Sequence, residues 1–360
     1  MQKTIFVVDD SLVNLSLAEE ALEKHYHVIT LSSAAKVYSA LKDITPDLIL
    51  LDVAMPEMSG FDTMKQLKRH KTYSKIPVIF LTALTDSFNE ALGIELGAVD
   101  FISKPFSPPV LLNRVKNHIQ IDEIIRQRTE QILMLKDDII FAMADTIERR
   151  DIKADGHVER TTIYLKILLD ATIAHGVYVD ELQKWESEVL VSSASLHDVG
   201  TIYIPASILN KPGPLTDEEF ETVKTHAIEG EKIIDQMISR TGNAEFLQSA
   251  KLITASHHER WDGTGYPHRL KGTEIPLHGR LVAIVDVYDA LTSDRPYRKA
   301  FTHEVAVEMI KDDAGKHFDP LITGVFGEIS NLFQKAKIDF AALGDVGNDG
   351  RGRKLNYSVP

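Results

Sequence analysis

The chain has 360 residues, 44% of them hydrophobic and 26% charged, with a formal net charge of −13 at pH 7 and no cysteine. That length exceeds one ordinary core and points to two domains of a soluble globular protein. Without cysteine neither a disulfide nor a thiolate metal site can form, so any metal must be held by His, Asp or Glu. The acidic balance disfavours a nucleic-acid polymer as the main ligand, because phosphate-tracking surfaces are normally basic. A small anion in a locally positive pocket stays open. The opening MQKTIFVVDD reaches Asp9 and Asp10 after a short apolar run, too short for a secretory core or a membrane span. A cytoplasmic location with no membrane partner is the expectation.

Over the first 120 residues short apolar runs alternate with helix-period segments: TIFVV, SLVNLSLAEEALEKH, HVITL, DLILL, IPVIFL and DFI. The alternation predicts a doubly wound α/β domain over residues 1–120, its parallel sheet covered on both faces. In such sheets ligands sit at the carboxyl ends of the strands. The polar residues fall there: Asp9 and Asp10 after the first strand, Asp52 after LILL, Thr82 after VIFL and Lys104 after DFI. Three carboxylates converging on one edge repel unless a cation sits among them, and Mg²⁺ suits an all-oxygen set.

That set, with Met55-Pro56, Gly60 and KPF at 104–106, resembles the receiver domain of two-component response regulators across essentially all of residues 1–120. The resemblance implies that Asp52 accepts a phosphoryl group from a cognate sensor histidine kinase. It also implies that Asp9, Asp10 and Asp52 bind Mg²⁺, that Thr82 and Lys104 contact the phosphoryl oxygens, and that Phe101 is the aromatic switch residue. An aspartyl phosphate adds charge and acceptors that a hydroxyl and an ammonium can follow.

From 121 to 142, positions 121, 125, 128, 132, 135, 139 and 142 read Ile, Ile, Arg, Ile, Leu, Ile, Ala. This heptad seam, broken only by Arg128, predicts a stiff helical linker able to pair with a second copy as a homodimer.

From 143 to 340 the pattern is helical and carries the chemistry: His157, His197 and Asp198, His226, His257 and His258, and Asp286. Neighbours on a helix project about 100° apart. The pairs His197-Asp198 and His257-His258 are therefore expected to reach two neighbouring ions rather than chelate one, with Asp198 bridging. Five imidazoles and two carboxylates suit two divalent ions of the Fe, Mn, Ni or Zn kind. Two such ions serve phosphodiester hydrolysis best.

HD at 197–198, HHERWDGTGYP at 257–267 and DVYDALTSDRPYR at 286–298 resemble the HD-GYP branch of the HD phosphohydrolases over about residues 143–335. The resemblance implies hydrolysis of cyclic di-GMP to linear pGpG or onward to GMP. It implies that Gly263, Gly265, Tyr266 and Pro267 form a turn that contacts diguanylate cyclase domains, and that Arg295 and Arg298 bind phosphate, for which the arginine fork is suited. Asp198 and Asp289 are the expected catalytic carboxylates, Asp289 orienting a ligand or the attacking water.

The chain also departs from the family. Thr201 stands where HDxGK has a lysine thought to touch phosphate, and Tyr203 replaces a usual glycine. Lys153 occupies the position, one turn before the first histidine, where some relatives carry a glutamate for a third metal; two metals are expected, with Lys153 itself facing the phosphate. The loss at Thr201 leaves two alternatives to weigh, a catalytically weak sensor or scaffold for cyclic di-GMP and an enzyme for hybrid cyclic GMP-AMP. Residues 341–360 read as a poorly ordered tail.

Overall fold

Five short aliphatic runs build the sheet of the first unit: Thr4–Val8 (β1), His27–Leu31 (β2), Leu48–Asp52 (β3), Val78–Thr82 (β4) and Asp100–Ser103 (β5). The computed structural model describes residues 2–70, 72–83, 87–150, 156–242, 244–294 and 298–344. All five strands pair in parallel in the order β2-β1-β3-β4-β5. Parallel strands need crossovers, supplied by helices Leu12–Leu22 (α1), Ala34–Ala40 (α2), Gly60–Arg69 (α3) and Ser87–Glu95 (α4), with Pro108–Glu148 (α5) following β5. One core packs Phe6, Ile49, Phe80 and Met64; the other packs Ile5, Leu50, Ile79 and Leu111. The doubly wound receiver fold is thus present. Strand order reverses about β1, with β2 on one side and β3 on the other, and Asp9 and Asp52 sit at that crevice.

Helix α5 is a single element of 41 residues. Leu111, Val115 and Ile119 are buried in the first unit's core. Beyond them the seam residues Ile121, Ile125, Ile132, Leu135 and Ile139 are each at least 50% exposed. The linker is helical, as the heptad spacing predicts, and its apolar stripe faces outward.

The chain divides into two compact units, Met1–Leu133 and Met134–Pro360. The second is helical: the end of α5, then His157–Ala174 (α6), Val179–Leu182 (α7), Ser187–Ser193 (α8), Ala206–Leu209 (α9), Asp217–Thr241 (α10), Glu245–Thr254 (α11), Leu277–Thr292 (α12), His303–Asp312 (α13) and Pro320–Gly344 (α14). Tyr164 of α6 stacks on Phe333 of α14 at 4.9 Å and meets Tyr288 of α12 edge-on at 5.3 Å. These contacts centre the core that fixes α6 against α12. Helix α10 begins with a capping box, Thr216 and Glu219 each satisfying the other's backbone N–H, and with three acidic residues in its first turn. Helix α14 continues through Gly344, so the first residues of the expected tail are helical; 345–360 lie outside the described residues.

The short 3₁₀ turn Val199–Tyr203, just after Asp198, lies against α10. A Cβ on Gly200 would stand 1.9 Å from the His226 carbonyl oxygen and 2.5 Å from the Gly230 nitrogen. Both obstacles are backbone, so neither can yield cheaply. Gly200→Ala should therefore cost about 3 kcal/mol, the upper part of the overpacking range. Chemical denaturation measures this, and wild-type stability in the variant would show that the two backbones can part.

Candidate metal centre

In the first unit Asp9, Asp10 and Asp52 bring carboxylate oxygens within 4.8 Å of one another. Asp9 and Asp52 are buried and Asp10 is exposed. Lys104 Nζ reaches Asp9 Oδ2 at 2.6 Å and Asp52 Oδ1 at 2.7 Å. Burial pushes the Asp52 carboxyl up, and the Lys104 ammonium opposes that. Thr82 ends β4 with its side chain buried, and Phe101 of β5 packs on Phe80. Asp9, Asp10, Asp52 and Lys104 therefore meet at the carboxyl ends of the strands, with Thr82 at the end of the neighbouring β4, while Phe101 lies further back beside Phe80.

The second unit gathers its histidines in two groups. Asp198, His226, His257 and His258 offer ligand atoms within 4.8 Å of one another, and so do Glu148, His157 and His197. Asp198 spans both: Oδ1 lies 3.1 Å from His226 Nε2 and 3.3 Å from His257 Nε2, and Oδ2 lies 3.8 Å from His197 Nε2. His157 Nε2 stands 3.3 Å from His197 Nε2 and 3.5 Å from Asp286 Oδ1. The expected division of His257 from His258 does not occur; the two share a group. They lie past the end of α11, where the 100° helical spacing no longer applies, and their rings are 4.0 Å apart.

Four of the five imidazoles are oriented from behind, and His258 is packed against the Tyr266 ring. Nδ1 of His197 donates to the Ala194 carbonyl at 2.9 Å, that of His226 to Val223 at 2.6 Å, and that of His257 to Ile253 at 3.0 Å. Nδ1 of His157 donates to Asp289 Oδ2 at 2.7 Å. These bonds hold a proton on Nδ1 and turn Nε2 of His197, His226 and His257 toward Asp198 and that of His157 toward His197 and Asp286, as in histidine metal sites. Asp198 Oδ1, His226 Nε2 and His257 Nε2 are buried and close, yet none makes a hydrogen bond among the described residues. Their short separations record convergence on common points rather than bonds to each other. The donor set, nitrogen and carboxylate oxygen, fits a divalent transition metal.

Electrostatics agree. Burial alone would raise Asp198, but the charges of His197 and His226 hold it well below the usual carboxylate range. His258 is pushed well down by burial and by the charge of His257 and His226, which favours a neutral ligand. Burial also lowers His157, but its bond to Asp289 outweighs this and raises it to about 9. With the folded value raised from 6.5, this pair stabilises the cation-free fold fully below about pH 6.5, and the contribution fades as pH climbs through 9. A cation must displace the same proton, so Mn²⁺ affinity should rise up to about tenfold per pH unit across that window. Titrations at several pH values test this; a flat affinity would remove His157 from the ligand set.

A cavity of about 250 Å³ opens on these groups, lined by Glu148, Arg160, Thr201, Tyr266 and Asp286 among others. Asp289 does not face it as a free carboxylate; besides His157 it is gripped by Arg160, Nε at 2.6 Å and a terminal nitrogen at 2.8 Å. Thr201 donates its hydroxyl to the Asp198 carbonyl. Tyr266 stacks on His258, ring centroids 4.8 Å apart, so this residue of the turn helps wall the cavity. A Cβ on Gly265 would stand 2.3 Å from the Arg260 nitrogen, which requires glycine there. A terminal nitrogen of Arg298 donates to the carbonyl of Ala290, a cavity-lining residue at the end of α12. Lys153 and Arg295 lie outside the described residues. Sequence reasoning missed Glu148 and Arg160. Arg160 was detectable, being one turn after His157 on α6; Glu148 had no spacing signal.

A five-stranded receiver followed by a helical histidine-aspartate centre defines the class. The HD domain profile matches residues 130–322 and the response regulator receiver domain profile residues 5–116. The chain belongs to the HD-domain family, in a branch that carries a receiver. It is 38% identical over 340 residues to a probable cyclic di-GMP phosphodiesterase of Vibrio cholerae serotype O1, covering 90% of this chain and 77% of that one. It is 34% identical over 281 residues to the cyclic di-GMP phosphodiesterase response regulator RpfG of Xanthomonas campestris pv. campestris, covering 76% and 73%. A cyclic di-GMP phosphodiesterase of Thermotoga maritima is 29% identical over 358 residues, covering 92% and 93%.

Proposed function

We propose that this chain is a response regulator whose helical unit hydrolyses cyclic di-GMP in a metal-dependent reaction, under control of phosphorylation at Asp52. The observation that carries the reading is the Asp198 carboxylate spanning two groups of oriented imidazoles, and the names of the relatives support the substrate. His226, His257, His258 and Asp198 would hold one ion, and His157, His197, Asp286 and Asp198 the other. Bound there, two ions of the Fe, Mn, Ni or Zn kind supply polarisation of the phosphoryl group and activation of water near neutral pH. The chain itself orients the imidazoles through Asp289 and three backbone carbonyls. Arg160 presents positive charge to the cavity, and the Tyr266 ring excludes water from one side. The products of this reading are linear pGpG, GMP or both.

In the first unit Asp9, Asp10 and Asp52 would take Mg²⁺, and Asp52 would receive its phosphoryl group from a sensor histidine kinase. Lys104, already within 2.7 Å of Asp52, and Thr82 would follow the new oxygens. The exposed seam of α5 supports pairing with a second copy. No helix among the described residues is long and apolar enough to cross a membrane. A contact of the Gly265-Tyr266-Pro267 turn with a cyclase domain belongs to the same reading; Thr264 and His268, which flank the turn, are exposed.

A sensor without turnover is the second reading, favoured by Thr201, whose hydroxyl is spent on its own turn. Chromatography of cyclic di-GMP and of hybrid cyclic GMP-AMP, incubated with full-length protein loaded separately with Mn²⁺, Fe²⁺ or Ni²⁺, decides. Metal-dependent conversion of cyclic di-GMP is expected. Tight binding without product under every metal, iron kept anaerobic, would establish the sensor.

A further inference from the structure

Glu148 is the last residue of α5, more than nine-tenths buried, and neither of its carboxylate oxygens has a hydrogen-bond partner among the described residues. Leaving a carboxylate so is costly in either protonation state. The ionised form needs a counter-charge, and the neutral form still needs a partner for its O–H and its carbonyl oxygen. The groups that face it are those of the centre. One Glu148 oxygen lies within 4.8 Å of ring nitrogens of His157 and His197, while Asp198 and Asp286 line the same cavity and bring further negative charge. Three carboxylates and two imidazoles are turned to one volume; Arg160, a described cation lining the same cavity, is committed to Asp289, and a divalent cation would balance the set.

We infer that Glu148 is a carboxylate ligand of the ion held with His157 and His197. This rests on the metal-dependent reading and completes it. The second ion then has two imidazoles and the oxygens of Glu148, Asp198 and Asp286, a harder set than the three-imidazole group around His226. The two positions should therefore differ in preference, the Glu148 position accepting Mn²⁺ or Fe²⁺ readily and the other favouring nitrogen-seeking ions. The ligand comes from α5, whereas Lys153, four residues before His157, was the place where a further carboxylate was sought.

The test titrates chelator-stripped, full-length protein with Mn²⁺ alone, counting bound ions by calorimetry and electron paramagnetic resonance, in wild type, Glu148→Gln, Glu148→Asp and His258→Ala. Wild type should bind two ions in the second unit, with Asp52→Asn protein used throughout to silence the receiver. Glu148→Gln should weaken one of the two by at least about tenfold and leave the other unchanged, as expected on losing a charged ligand. Glu148→Asp should retain part of that affinity, and His258→Ala should weaken the other ion instead. Thermal melting separates ligation from packing. Without metal, Glu148→Gln should melt at or above wild type, because it removes a buried unpartnered charge, and Mn²⁺ should raise its Tm less. Equal affinity for both ions in Glu148→Gln overturns this inference alone. So does a destabilisation of the same size with and without Mn²⁺, the mark of a packing role. Wild type that binds no Mn²⁺ in the second unit overturns the metal-dependent reading together with it.

Discussion

Replacing Asp198 by alanine should lower kcat/KM for cyclic di-GMP by about a thousandfold or more, equivalent to about 4 kcal/mol of transition-state stabilisation. Among the described residues its side chain is the one whose two oxygens address both ligand groups, Oδ1 toward His226 and His257 and Oδ2 toward His197. Removing it takes a ligand from each ion at once, so metal content should fall with turnover. The fold should not fall with them. Asp198 makes no hydrogen bond through Oδ1, and without it His226 and His257 keep the Nδ1 bonds to the Val223 and Ile253 carbonyls that hold their rings. Metal analysis, turnover and thermal melting on one preparation check the three statements. A variant that keeps both ions and wild-type rate would displace Asp198 from the centre of the proposal.

Asp289→Ala should act on stability instead, destabilising the second unit by about 3–5 kcal/mol, the usual cost of removing one partner from a buried ion pair. The carboxylate is 1% exposed and is gripped by Arg160 of α6 through two nitrogens and by His157 through Nδ1. Burial would raise its carboxyl, but the Arg160 and His157 hydrogen bonds hold it far below the usual range. A lowered carboxylate stabilises the fold above its ordinary value and loses that contribution only in strong acid, so the defect should be present at every pH of practical interest. Asp289→Asn, which keeps the shape and one acceptor, should cost less but release the His157 ring, weakening cation binding about 10–100-fold. Denaturant unfolding and Mn²⁺ titration separate the two variants; an alanine variant of wild-type stability would mean that Arg160 finds another carboxylate.

Much of this architecture can be read from spacing alone. Runs such as DLILL and IPVIFL are too short and too uniformly apolar for anything but buried parallel strands, so the sheet, and Asp52 at the end of one strand, follow from pattern. The histidines were recoverable because imidazole is scarce and the pairs are adjacent. What failed was the assumption that adjacent means helical. His257 and His258 occupy the turn after α11, where directions are set by the chain reversal and not by a 3.6-residue period. Glu148 escaped for a different reason: on a long, charge-rich helix one more glutamate carries no signal until the fold buries it. Arg298 shows the opposite limit. A motif supplied its expected role, and what the fold adds is that one guanidinium nitrogen is held by carbonyls that α12 leaves open at its end.

The contact between Gly200 and the His226 carbonyl bears on what a signature sequence certifies. In HDVG the histidine and aspartate carry chemistry, but the glycine records a distance, the closeness with which one stretch of backbone lies on α10. A descendant that lost His226 and every trace of turnover would still need that glycine to keep its shape, and a descendant with full activity could not spare it. Of the letters in this motif, it is therefore the one that reports ancestry and says nothing about occupation.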